Sequence, residues 1–416
     1  MRWNYRVILC RNVLAVIVSA CMASSAYGQQ IGKSDPHLFD HVPFDQWLKE
    51  GPREQIPFKV RTYDAELSIY QRLVTHLGMT MHGKELSHRG NKGDLVGFLQ
   101  ITDSSGHTYR DALKLDLTQL NPDLHKSDIM FEFDAFVLPG TYNLILALHH
   151  TGTGEYSLAQ RTIHVSALKG DPLPEAWRDL PAVEILTHIE PPDPDTYLHP
   201  ELKGRLHLPV SNQKPLRVEL LADVTASELF RGSSTRYMRY LYALVPIIGA
   251  FSQIQLRDGS KDLATLDLTR RKVVFEQDQM KELDWTAWKK TLSASDAGVV
   301  NVGSLSKQHP KPEFLREELA RRIRAHSNDQ AMQVFIVITS PLFPYSFDVN
   351  EEALRQNCNC RVFYIEYDSS RHGTAYGSTG QVEKMLRPVN VRSFRVHSSE
   401  SVRQALAKII NEMNGF

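Results

Sequence analysis

The chain has 416 residues, too many for one ordinary domain and enough for two substantial hydrophobic cores. Its 48 Lys and Arg balance 48 Asp and Glu, so it lacks the basic surplus that drives nucleic-acid binding, and nucleic acid is not an expected partner. Of its four Cys, Cys10 and Cys21 lie near the start, which leaves too few for a disulfide framework.

The first residues, "MRWNYRVILCRNVLAVIVSACMASSAYGQQ", place Arg2, Arg6 and Arg11 before the apolar run Val13 to Ser19, followed by small residues. That order predicts a secretory signal peptide over residues 1–28, ending at Ala26-Tyr27-Gly28. The run is far shorter than the roughly 20 residues that span a bilayer, so no transmembrane helix is expected in the mature chain. Val18-Ser19-Ala20-Cys21 supports an alternative, a lipid anchor at Cys21. Cleavage at Gly28 removes three Arg and no acid, leaving 45 basic against 48 acidic residues. The expected product is periplasmic or secreted, or alternatively a lipoprotein.

Residues 29–56 carry no clear pattern and are read as a tail or edge. From Leu67 to Met81 the odd positions are mostly apolar while Ser68, Arg72, His76 and His82 fall on the even ones. A period of two predicts a long strand with one face buried, broken near Gly78. "LVGFLQITDSSG" and "FEFDAFVLPGTYNLILALHHTGTGEY" add further strands with Pro-Gly and Gly-rich turns. Short strands without helices between them predict an antiparallel β-sandwich over 57–166. Pro density then rises through "LKGDPLPEAW" and "IEPPDPDTYLHP", so 167–215 is expected to run extended as a Pro-rich surface linker.

Strand and helix alternate over 216–416. "LRVELLAD" is an apolar strand, and "STRYMRYLYALVPIIGAFS" is long enough for a helix kinked at Pro246. A hairpin is expected around Asp258-Gly259, then a helix in "DQMKELDWTAWKKTL" and a strand in "GVVNVGSL". "PEFLREELARRIRAH" opens a helix with Pro312 and lines Leu315, Leu319 and Ile323 on one stripe; Arg321, Arg322 and Arg324 suit its carboxyl end. "VFIVITS", "CRVFYIEY" and "VRSFRV" are strands. The last helix turns Val402, Leu406, Ile409, Ile410 and Met413 inward, with Ser398 or Ser399 as its cap. Continuous apolar strands between amphipathic helices predict a doubly wound, mainly parallel α/β domain.

In such sheets the working groups sit at the carboxyl ends of the strands. There the chain presents Asp223, Thr225 and Ser227, either as oxygen ligands for a divalent cation or as turn and helix-capping groups. The strand "VELLAD", the D-x-T-x-S spacing and the long helix that follows resemble the first metal-binding motif of von Willebrand factor type A domains. The resemblance covers about 200 residues and is closest to divergent members of exported bacterial proteins, where such a domain follows a β-sandwich. It implies a magnesium or manganese site completed by a Thr from a second loop, an Asp after the fourth strand and an acidic residue of a partner. Here "TSP" puts Ser340 where that Asp is expected, with Pro341 and Leu342 after it, and the nearest loop hydroxyls are Ser304 and Ser306. A missing unit charge at about 4 Å removes on the order of 4 kcal/mol at an effective dielectric of about 20, roughly three decades of affinity. The expected site is therefore degenerate, with Asp223 and Ser340 at neighbouring strand ends and no second acid within reach.

Other chemistries lack their residues. A haloacid-dehalogenase phosphatase would need a second Asp at position 225, which is Thr; there is no GxxxxGK[ST], GxSxG or HExxH. His149-His150 and the pair His76 and His82 read as strand-end or surface groups. Cys358 and Cys360 in "NCNC" lack a second ligand pair for zinc and are either free or bridged locally. Two functions follow as expectations: a non-enzymatic protein that binds an envelope or extracellular protein, or alternatively a metal-assisted hydrolase working in the Asp223 crevice.

Overall fold

The computed structural model describes residues 29–30, 33–90, 92–119, 126–186, 202–225, 244–296, 312–327, 329–339, 360–368 and 381–416. Residues 1–28 with Cys21, the segment "IEPPDPDTYLHP", Ser227, "GVVNVGSL" with Ser304 and Ser306, Ser340 to Leu342 and Cys358 lie outside the described residues. The chain is mixed α/β, with antiparallel sheets before a mixed one. It divides into two units. The first holds the residues up to Tyr63, His76–Asp134 and Thr141–Ile163; the second holds Asp64–Thr75, Ala135–Gly140 and His164–Phe416.

Among the described residues before 186 the strands are β1 (Gln29–Gln30), β2 (Lys33–Ser34), β3 (Arg53–Glu54), β4 (Lys59–Thr62), β5 (Glu66–Leu67), β6 (Leu73–His82), β7 (Asp94–Thr102), β8 (Thr108–Asp116), β9 (Asp128–Val137), β10 (Gly140–His150), β11 (Glu155–Val165) and β12 (Val183–Ile185). One sheet runs β2-β8-β7-β10-β11-β3. The other runs β1-β9-β6-β4, with β5 beside β6 and β12 beside β9. In the first unit these sheets meet face to face at Gly97, where a Cβ would lie 2.8 Å from the Phe131 ring and 2.9 Å from Met79. Only glycine permits that approach.

The next residue along β7, Phe98, points to the opposite face, and there the patternless segment finds its use. Phe39, Phe44 and Trp47 pack on Phe98, Val96, Ala147 and Tyr156, with Trp47 stacked on Tyr156 at 4.3 Å between centroids. The strand predicted through 67–81 is instead two strands and a turn. Ser68 N–H donates to Arg72 O (2.8 Å) and Gln71 N–H to Ser68 O (2.9 Å), with Gln71 in the left-handed region at φ 64°. The break is at this turn. Gly78 lies inside β6, and the period of two survives because the turn keeps the parity of the strands.

In the second unit, β13 (Leu208–Val210) and β15 (Ile254–Leu256) form a parallel pair, and β14 (Leu216–Asp223), β16 (Gly259–Asp267), β17 (Lys272–Gln277), β18 (Met332–Thr339), β19 (Cys360–Tyr367) and β20 (Val391–Val396) form a sheet. Its order is β17-β16-β14-β18-β19-β20, which is the 3-2-1-4-5-6 order of a doubly wound sheet. Only β17 runs antiparallel. The expected hairpin at Asp258-Gly259 is a correction: the hairpin lies between β16 and β17, with Arg271 at φ 52°. Gly259 is instead the corner where the chain passes between sheets, with φ 136° and room for no Cβ beside the Leu216 carbonyl.

The helices Pro312–Ala325 and Gln381–Leu386 cover Leu221, Leu266, Phe335, Val337, Val362 and Tyr364 on one face of this sheet. On β19 Arg361 alternates with Val362 and so points to the other face, where it meets Glu412 of the terminal helix Ser399–Met413 at 2.5 Å. That helix buries Val402, Leu406, Ile409, Ile410 and Met413, and Ser398 caps it in a reciprocal box with Ser401. The described parts of 167–215 are not an extended surface connector. Trp177, Leu180, Val183, Leu206, Leu208 and Val210 are buried, because the prolines are interleaved with large apolar side chains that belong to this unit's core.

Candidate functional site

Strand β14 is central, paired in parallel with β16 along its whole length and with β18 from Leu216 to Ala222. Its last residue, Asp223, is opposite Leu266 of β16, and Val224 N–H continues the ladder to Leu266 O at 3.0 Å. The chain then turns back on the carboxylate. Thr225 N–H donates to Asp223 Oδ1 at 2.9 Å, and the Thr225 hydroxyl donates to the same oxygen. Thr225 Oγ1 in turn accepts from Leu268 N–H at 2.6 Å. The D-x-T spacing thus closes an Asx-type turn and ties it to the loop after β16.

Asp223 is 2% exposed and Thr225 8%. Burial pushes the Asp223 carboxyl up to about 7; the two bonds from Thr225 pull the other way, and the charge of Asp267 pushes up. Asp223 Oδ2 is buried and, among the described residues, has no hydrogen-bond partner.

A second polar chain lies at the same edge of the sheet. Thr339, ending β18 and fully buried, lies 3.1 Å from the Tyr364 hydroxyl, which donates to Glu366 Oε2 at 3.0 Å. Burial pushes the Tyr364 hydroxyl well above its ordinary value, and the charges of Glu366 and Asp223 push the same way. Burial also raises Glu366, against the pull of the Tyr364 bond and of Arg395. The charge of Asp267 acts on Asp223, and those of Glu366 and Asp223 act on Tyr364, because the parallel register brings the ends of β16, β14 and β19 to one level. The signals of Asp267 and Glu366 in the sequence were "TLDL" and the alternation of "YIEY", which read only as strand ends.

Magnesium and manganese prefer several oxygen ligands and negative charge. Here the Thr225 hydroxyl is engaged on both sides and the Asp223 carboxyl is held near neutrality by burial. No group of three His, Cys, Asp or Glu that could hold a metal occurs among the described residues. Ser227, Ser304, Ser306 and Ser340, the other candidate ligands, lie outside the described residues.

Elsewhere the histidines have local tasks. His150 Nδ1 accepts from Thr153 N–H at 3.0 Å, His149 lies beside Trp47, His76 pairs with Asp134 at 2.5 Å and His82 accepts from Lys84 N–H at 3.2 Å. Cys360 is disulfide-bonded. Arg322 is not a dipole partner on the surface; it is buried between Glu219 (3.1 Å), Glu276 (2.5 Å) and Glu318 (2.8 Å).

No family model matches the chain, and no curated protein matches it. Among solved structures it is similar to the PilB minor pilin from Streptococcus sanguinis, at 9% identity and a TM-score of 0.29, over 77% of this chain and 87% of that one. It is similar to the ArnB paralog VWA2 from Sulfolobus acidocaldarius, at 6% identity and a TM-score of 0.29, over 65% of this chain and 50% of that one. A von Willebrand factor type A structure from Catenulispora acidiphila is matched at 7% identity and a TM-score of 0.28, over 68% and 49%. At these identities and TM-scores the matches assign no family, activity or partner to this chain. No described helix is long and apolar enough to cross a membrane.

Proposed function

We propose that this is an exported, non-enzymatic protein of the envelope or exterior that works by binding another protein, and that Asp223, Thr225 and Ser227 are a degenerate metal-ion-dependent adhesion site. The observation that carries the proposal is the closure of Asp223 by Thr225 and Leu268. A hydroxyl in the position of a cation ligand is used to lock a turn, so the crevice of the second unit serves its architecture. Thermal unfolding of the full chain with and without millimolar magnesium or manganese tests this. A metal at 100 times its dissociation constant would add about 2.7 kcal/mol; no shift is expected. A metal-dependent rise that disappears in Asp223→Ala would overturn the proposal. Mass spectrometry of the mature N-terminus tests export, with cleavage after Gly28 or a lipid on Cys21 as the supporting results and an intact leader as the opposing one.

One observation favours the alternative, a metal-assisted hydrolase: a buried carboxyl oxygen without a described partner, on a group held near 7, is the profile of a general base. Turnover of an ester or phosphoester that is lost in Asp223→Asn would select it.

A further inference from the structure

Four Lys and Arg side chains are buried among the described residues. Three have carboxylate partners: Arg72 pairs with Glu184, Arg322 with Glu219 and Glu318, and Arg403 with Asp171. The fourth, Lys261, is 7% exposed and pairs with no described carboxylate. Its side chain runs to the end of the helical residues 244–252, where Nζ donates to the Ser252 carbonyl and, at 2.7 Å, to the Ile254 carbonyl. Both acceptors are neutral, and the third N–H has no described partner. Burial lowers Lys261 to about 8, and the charge of Arg205 pushes the same way. A buried charge without a counter-ion is costly.

A cavity of about 620 Å³ adjoins this cation. It is lined by Gly259, Ser260 and Lys261, by residues 253–256 and 279–282, and by Arg205 and Leu206, all of them in the second unit. Its walls are tied together. Leu206 N–H donates to Gln253 Oε1 at 2.6 Å, Met280 N–H to Lys261 O at 2.6 Å, and Gln279 N–H to Asp262 Oδ1 at 2.7 Å. Arg205, Lys281 and Glu282 are exposed, and Arg205 holds Glu282 at 2.5 Å. The lining therefore carries three cations against one acid, and Arg205 takes that acid. Lys261 and Lys281 are left with two positive charges that no described carboxylate balances.

We propose that this cavity binds a small organic phosphate monoester, whose phosphoryl group supplies the counter-ion that Lys261 lacks, with Lys281 and Arg205 at the rim. The charge count selects the ligand. A phosphate ester carries about −1.5 to −2 charges near neutral pH, which matches the surplus, whereas a single carboxylate leaves one cation unbalanced. Lysine suits phosphate as a point charge. The volume lies within the range of about 300–1,000 Å³ usual for small-molecule sites, which leaves space for an organic group beside the phosphoryl. Lys261 stands near the amino end of β16, which runs parallel to β14, so this site lies at the opposite edge of the sheet from Asp223 and does not depend on the reading of that crevice.

The experiment is calorimetric titration of the full chain with phenyl phosphate at low ionic strength and about pH 7.5, where the ester is largely dianionic. Phenyl sulfate, of similar shape with one charge, and neutral benzyl alcohol are the comparisons. Saturable binding of phenyl phosphate in the submillimolar range is expected, at least tenfold weaker binding of phenyl sulfate, and none of benzyl alcohol. Lys261→Met and Lys281→Glu should each weaken phenyl phosphate at least tenfold, while Lys408→Glu, an exposed position on the terminal helix, should leave it unchanged. Absence of saturable binding at ten millimolar, equal affinity for the sulfate and the phosphate, or full affinity in either lysine variant at the cavity would overturn the proposal. Lys281 is exposed, so its variant decides the matter even where Lys261→Met folds poorly.

Discussion

Arg403 on the terminal helix holds Asp171 through two parallel bonds, Nε to Oδ1 at 2.6 Å and Nη2 to Oδ2 at 2.7 Å, across 232 positions of sequence. The same guanidinium donates to Gln71 O (3.2 Å) and Leu173 O (2.8 Å) and lies 4.6 Å over the Trp177 ring. It is 2% exposed. One side chain therefore pins the turn at Gln71, the stretch after residue 170 and the last helix within the second unit.

Removing it leaves the Asp171 carboxylate without its cation, although Gln71 O keeps the Trp177 Nε1 bond and Leu173 O the Ala176 N–H bond. Arg403→Ala is expected to cost about 3–5 kcal/mol, the range for breaking a buried pair by deleting one partner. Urea unfolding followed by Trp fluorescence measures this. A loss below about 1 kcal/mol would mean that solvent replaces the contacts.

Asp223 should leave a mark on the pH dependence of stability. Unfolded Asp titrates near 3.9, whereas burial holds the folded carboxyl at about 7. Between these values the folded state binds more protons, so this group's contribution is complete below about pH 4, falls as pH rises and is gone above about 7. Three units amount to on the order of 4 kcal/mol at most. Asp223→Asn cannot titrate, and its unfolding free energy should decline less than the parent's between pH 4 and 7. Equal slopes would show that residue 223 is not the group responsible.

Thr225 has two bonds to lose. Thr225→Val keeps the shape but removes a donor from Asp223 and the acceptor from Leu268 N–H, an expected cost of about 1–3 kcal/mol for buried groups left unpaired. Thr225→Ser keeps the hydroxyl and should recover most of it. Thermal unfolding of the pair separates the hydroxyl from the methyl; a Ser variant as unstable as the Val variant would point to packing instead.

The alternation of apolar strands and amphipathic helices after residue 216 was sufficient to predict β14, β18, β19, β20 and the two long helices, because burial on both faces writes a local pattern. The cap at Ser398 and the proline opening the helix at Pro312 were likewise local. The turn at Gln71 was invisible because it preserved the parity of its strands, and residues 33–50 had no period because three aromatics docking on a sheet need none. Asp223 and Thr225 were found from their spacing alone, yet that spacing suits a cation and a locked turn equally well. Which of these the Thr225 hydroxyl serves depends on Leu268 N–H, and the company of Asp267, Tyr364 and Glu366 depends on strand register. Both are long-range relations that no local pattern encodes, so the lock at Asp223 was decided only when the sheet closed.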